Sequence, residues 1–142
     1  MDVYKIVMRK KIDKQNQKMI LFYNLLVKWL NVELSLPSIA DFFLKRGYER
    51  VIVYGIKELG DLLIKELETS GLCVVCGIDK DARYIIQNIP IIEPDDDIPI
   101  ADVIIVTAIA AFDEIKNNLE EKTKIPVVSL SEVIDELDSS IL

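Results

Sequence analysis

The sequence predicts an α/β fold, a parallel sheet with helices on both of its faces. Three observations predict it. From residue 48 onward, short and strongly apolar segments alternate with amphipathic ones, the rhythm of strand–helix–strand units in a covered parallel sheet. Residues 50–79, RVIVYGIKELGDLLIKELETSGLCVVCGID, read as one complete unit: apolar strand, glycine turn, amphipathic helix, second apolar strand closing on an aspartate. Before them, Met19, Phe22, Leu26 and Trp29 fall at i, i+3, i+7 and i+10, which sets a helix ahead of the sheet.

Residues 1–15 are polar and basic without periodicity, which predicts a flexible or weakly helical arm. A helix over 16–32 follows, its apolar face widened by Tyr23, Val27 and Leu30, with Pro37 beyond it. Ser38 is placed to cap a second helix over 39–46, which Gly47 ends. Strands are expected at 51–54, 73–78, 89–92, 103–107 and 127–129. Helices are expected at 58–69, at 112–121 and at 132–137 after the cap Ser131, with a weak one over 81–86. The chain thus divides into a basic helical segment, 1–47, and an α/β domain, 48–142.

A length of 142 residues suits one domain with a substantial core. With 51% apolar and 29% charged residues, the composition is that of a globular protein. Its charge is unevenly divided. Residues 1–50 hold ten Lys and Arg against five acids, a net of +5, and residues 51–142 hold seven against nineteen, a net of −12. An acidic domain is a poor match for phosphate backbones, so nucleic acid is excluded as a general partner. The basic arm suits an acidic partner, an anionic membrane or its own domain. The basic start lacks the clean apolar core of a secretory signal. Asn24 and Lys28 interrupt the longest apolar run, Met19 to Val32, so a transmembrane segment is not expected. Two cysteines and the missing signal fit a reducing cytoplasm.

The candidate site is the turn Gly55-Ile56-Lys57-Glu58-Leu59-Gly60 together with Asp79, Thr107 and Ala108. Gly55 permits a tight reversal and Gly60 permits close packing of the helix. A glycine at 57 would let a pyrophosphate approach the backbone, but the residue there is Lys57. Its side chain either blocks that approach or offers an ammonium to a phosphate. The helix end presents free N–H groups to an anion, while Glu58 and Asp61 oppose one. The turn therefore serves either a ligand or the fold alone. Asp79 stands where an acid accepts ribose hydroxyls, or else it shapes the turn Asp79-Lys80-Asp81. Gly77 before it allows a ligand or backbone to pass close. Thr107 and Ala108 end the fourth strand beside the first, where ligands of open α/β sheets collect.

Other motifs read as structural. Cys73 and Cys76, three apart on a strand, are expected on opposite faces as core packing. Asp95, Asp96 and Asp97 are a solvated turn rather than a magnesium site, and the chain has no histidine for metal catalysis. The helix over 16–32 covers the domain or forms a homodimer seam; with Lys14, Lys18 and Lys28 it also suits an anionic membrane surface.

These residues resemble the Rossmann-like amino-terminal domain of membrane-linked nucleotide-sugar epimerases and dehydratases, which belong to bacterial cell-surface polysaccharide biosynthesis. The family's G-x-G-E-x-G turn corresponds to Gly55 through Gly60, its G-x-I-D strand end to Gly77-Ile78-Asp79, and its I-P-V strand to Ile89-Pro90-Ile91. Its small-residue loop corresponds to the end of Val103 to Ala108, so the likeness spans about residues 48–137. The N-terminal helices resemble those of proteins from capsule clusters, some of them associated with glycosyltransferases. The resemblance implies a three-layer Rossmann-like sheet, NAD(P) or a nucleotide sugar as ligand, and a homodimer or glycosyltransferase partner. No tyrosine has a lysine four residues on, so the Tyr-x-x-x-Lys pair of such enzymes is missing and no catalytic residue is assigned. The expectation is a non-catalytic nucleotide- or nucleotide-sugar-binding module. Its alternatives are a subunit or fragment of an epimerase/dehydratase and an adaptor docking a glycosyltransferase or membrane through its N-terminal helix.

Overall fold

The computed structural model describes residues 2–34 and 38–140. In chain order the elements are α1 (Val3–Glu33), α2 (Ile39–Lys45), β1 (Arg50–Tyr54), α3 (Glu58–Thr69), β2 (Cys73–Ile78), β3 (Ile91–Ile92), β4 (Val103–Val106), α4 (Phe112–Glu120), β5 (Val127–Ser129) and α5 (Leu130–Ser139). The expected Pro37 boundary lies outside the described residues. All strand pairs are parallel, in the order β3-β2-β1-β4-β5. This is the three-layer α/β, Rossmann-like arrangement. Steps from β1 to β2 and from β4 to β5 run in opposite directions, so right-handed crossovers require α3 and α4 on opposite faces. The core obeys this rule. Leu59, Leu63 and Leu67 of α3 pack with Val51, Val53 and Val103 on one face, and Leu119 of α4 packs with Ile52, Ile104 and Val106 on the other.

The α3 face carries three more helices. Leu25, Trp29 and Val32 of α1, Phe42 and Phe43 of α2, and Leu130, Ile134 and Leu137 of α5 share its cluster. One core thus crosses the expected boundary at residue 47. Lys28 bonds Asp135 at 2.8 Å, and Arg46 grips Glu136 at 2.6 and 3.0 Å, so the basic helices meet acids of α5. Such exposed pairs are screened by solvent and add little, so burial rather than charge holds α1 and α2 down.

Several expectations need correction. Residues 3–15 are not a flexible arm but the first half of α1, capped by the Asp2 carboxylate accepting from Tyr4 N at 3.0 Å. Lys, Arg, Met and Gln are good helix formers, and no Gly or Pro interrupts residues 3–33. β3 shrinks to two residues, although Gly77 N already donates to Pro90 O at 2.9 Å. The weak helix over 81–86 is a single 3₁₀ turn, Ala82–Tyr84. α5 begins at Leu130 with Ser129, not Ser131, as its cap, since fully buried Leu130 belongs to the core.

The cysteines also differ from expectation. β2 bulges at Val75: Cys73 pairs with Arg50 and Cys76 with Ile52. Two positions apart on β1, these partners place both cysteines toward one side of the sheet. Cys73 is exposed and not core; Cys76 is buried, and burial pushes its thiol up to about 11.

The foot of α1 holds a strongly shifted carboxyl. Trp29 Nε1 donates to Glu66 Oε2 at 2.9 Å, and Glu66 Oε1 is buried without a partner. Burial first, then the adjoining Glu33 carboxyl, push Glu66 up from 4.5 to about 7. A carboxyl raised in the folded state binds a proton that the unfolded chain has released. Its contribution is therefore complete below pH 4.5 and is lost as pH rises to about 7. Urea titrations should show this loss between pH 4.5 and about 7, on the order of 1 kcal/mol given the partial exposure, and Glu66→Gln should flatten it.

Candidate functional site at the carboxyl ends of the strands

The candidate residues converge at the carboxyl ends of β1, β2 and β4. Gly55 takes φ +99°, and a Cβ there would strike Thr107 Oγ1. Only glycine fits this corner without strain. A Cβ on Gly60 would collide with the Gly55 carbonyl oxygen, so α3 starts as close to the turn as backbone allows. Both glycines thus act as their positions in the sequence suggested, for packing reasons independent of any ligand.

Asp79 is turned inward. It is only 5% exposed. Its Oδ2 accepts from Ile56 N at 2.9 Å, and its Oδ1 accepts from Asp81 N at 2.8 Å. Gly55 N, meanwhile, donates to Ile78 O at 2.8 Å. The end of β2 therefore holds the glycine turn by main chain and by carboxylate together. One turn amide is already committed to an anion supplied by the chain. The carboxylate has both oxygens occupied and almost no surface for ribose hydroxyls.

Thr107 locks the other side. Its hydroxyl lies 2.7 Å from Gly55 O and 3.2 Å from Tyr54 O, while Thr107 N donates to Tyr54 O at 2.9 Å. Ala108 follows in a tight inverse turn, φ −76° and ψ 71°, closed by Ile109 N donating to Thr107 O. Ala108 is half-buried against the α4 face, and Ile109 against the opposite one.

Ile56 fills the space that Gly77 leaves. A Cβ on Gly77 would lie 2.7 Å from the Ile56 and Ile91 methyls. The close approach allowed by Gly77 is thus made by the chain's own side chains rather than by a ligand. Leu59 is buried in the same cluster as Ile56. Lys57 and Glu58 point to solvent; Lys57 is 67% exposed and lies 3.9 Å from Asp81. α3 has no side-chain cap, so its first N–H groups have no intrahelical acceptor.

The local field is acidic. Glu58 and Asp61 sit in the first turn of α3, beside Asp79 and Asp81. Asp61 also accepts from Gln87, which ties α3 to the segment before β3. Burial chiefly, then Asp79, Asp95 and Glu114, push the Tyr54 phenol above its usual value. An anionic ligand has to overcome this field with the helix dipole and Lys57.

Sequence reasoning missed two anchoring groups. Asp102 Oδ2 accepts from Glu49 N and Arg50 N at 2.8 and 2.9 Å, and these bonds hold its carboxyl below the usual range. Its signal was an acid standing one residue before an apolar strand. Glu66 was the other, signalled by an indole N–H that needs an acceptor when buried. A hollow of about 430 Å³ at the foot of α1, lined by Glu33, Ser38, Leu62 and Glu66 among others, includes none of the expected site residues.

Replacing Asp79 by Ala leaves two amides without acceptors, one of them buried. Chemical denaturation at pH 7 should register a loss of about 2–4 kcal/mol. Asn, which keeps an acceptor for Ile56 N, should lose about half as much. Compared with protein-family models, with curated proteins and with solved structures, the chain finds no match.

Proposed function

We propose that this chain is a non-catalytic, cytoplasmic Rossmann-like assembly module of bacterial surface polysaccharide biosynthesis, with α1 as its working surface. One observation carries the reading: every residue from Asp2 to Asn24 is exposed, while the crevice groups are bonded to one another. Met19 at 68% and Ile20 at 59% exposure are large apolar groups left in water on this half-helix, as at surfaces meant to be covered. Among the described residues no helix is long and apolar enough to cross a membrane. The missing Tyr-x-x-x-Lys pair supports a non-catalytic role, and the resemblance over residues 48–137 supplies the pathway. In this role the α/β body is a rigid platform and α1 holds the partner.

The reading is tested in cells by replacing the chain with one lacking residues 2–24, which retains the buried Leu25, Trp29 and Val32. A separate strain carries Lys57→Glu. The truncation should lower surface polysaccharide at least tenfold, and Lys57→Glu should change it less than twofold. Normal polysaccharide from a stably produced truncated chain would rule this function out.

The uncapped first turn of α3 beside the exposed Lys57 ammonium favours a second reading, a module that binds NAD(P) or a nucleotide sugar through its phosphates. Isothermal titration with NAD(H), NADP(H), UDP-sugars and coenzyme A tests it. Binding that Lys57→Glu weakens tenfold or more supports it, and absence of heat with every compound removes it.

A further inference from the structure

The exposed half of α1 carries an ordered stripe. Met8, Ile12, Gln15, Met19, Phe22 and Leu26 alternate by four and three residues, the spacing that keeps one seam facing a partner helix. The stripe runs without a break into Trp29, which is buried in the body. At 1.5 Å per residue, the levels from Met8 to Leu26 span about 27 Å. From Met8 to Phe22 every member of this seam is exposed, and Leu26 is the first that is half-buried against the core, so its outer part is open to cover from outside.

The charges then select the occupant and its direction. Residues 2–24 hold six Lys and Arg against two acids, and all six bases lie between Lys5 and Lys18. Residues 19–27 hold no charge at all, and residues 38–140 hold ten bases against twenty-one acids. Two copies paired in parallel would set the basic halves side by side, a repulsive arrangement. Turned antiparallel, each basic half lies along the uncharged half of its partner and ends near the partner's acidic body.

Resting on the reading of α1 as working surface, we propose that its occupant is the α1 of a second copy, packed antiparallel. The register that pairs apolar levels sets Met8 against Leu26, Ile12 against Phe22 and Gln15 against Met19, each contact occurring twice by symmetry. The lone polar residue of the stripe, Gln15, disfavours registers that bury it more deeply, a known use of a polar seam residue.

Light scattering on the full chain at tens of micromolar should give twice 16.2 kDa. Met19→Asp should return the mass to 16.2 kDa while the circular dichroism of the body persists. Direction is read by disulfide trapping in a Cys73→Ser, Cys76→Ala background that still gives the doubled mass. Chains with Ile12→Cys and chains with Phe22→Cys should cross-link when mixed, and neither should link to itself. A wild-type chain of 16.2 kDa, a doubled mass unmoved by Met19→Asp, or self-linking of Ile12→Cys would each overturn the proposal. So would a monomer that sediments with phosphatidylglycerol vesicles, which would give α1 to a lipid surface. A monomer whose truncation still abolishes polysaccharide would sink the pairing and spare the function; a dimer whose truncation leaves polysaccharide intact would do the reverse.

Discussion

The carboxylate of Asp79 on the amide of Ile56 is the contact around which the sheet end is organised. It links β2 to the corner between β1 and α3, and the Thr107 hydroxyl on the Gly55 carbonyl links the same corner to β4. Three adjacent strand ends are thereby fastened at a single turn. The turn can be this tight only because Gly55 takes a left-handed φ and Gly60 brings no Cβ against its carbonyl. With the corner fixed, Ile56 is driven over Gly77 into the core, and α3 is set at the height from which Leu59, Leu63 and Leu67 cover the sheet. A charged acceptor buried at 5% exposure does this better than a neutral one, since charge-assisted bonds are shorter and stronger.

The same contact changes what the crevice offers. In a dinucleotide site the strand-end acid faces outward and the turn amides face a phosphate. Here the acid bonds to the turn amide itself, so the Rossmann-like architecture is kept with its strand-end groups joined to each other. What remains outward is the start of α3 and Lys57, set in an acidic neighbourhood. Fold and site therefore part company, as they do in many folds that host several functions.

α1 presents the opposite case. Its last turns are held by Trp29, Val32 and the Glu66 acceptor, while its first six turns lie free of the body. Helices in proteins draw most of their stability from a packed face rather than from propensity, and this part of α1 has propensity alone. A stripe of Met, Ile and Phe along such a helix adds an apolar cost in the single chain that is relieved when the stripe is covered. The acidic body and basic arm are linked by the same logic. Lys28 and Arg46 already meet Asp135 and Glu136 within the chain, and among the described residues no ion pair joins the six bases further out on α1 to the body.

The chain's own pattern determined the layered parallel sheet, the limits of α3 and β2 and the glycine corner, because burial and turn sterics act over a few residues. It also marked Asp79 and Thr107 as strand-end residues of one sheet, since each closes an apolar strand. Which way Asp79 faced was decided only by the fold, because the nearest amide belongs to a residue 23 positions away. The bulge at Val75 likewise arose from pairing with β1, and it put Cys73 and Cys76 on a common side against local alternation. Residues 3–15 carry only Met8 and Ile12 of the apolar stripe, among six charged side chains, too few levels for a period to stand out locally, so propensity rather than periodicity marks them as helical. Local chemistry sets the elements; the contacts between them set what each charged group is left free to do.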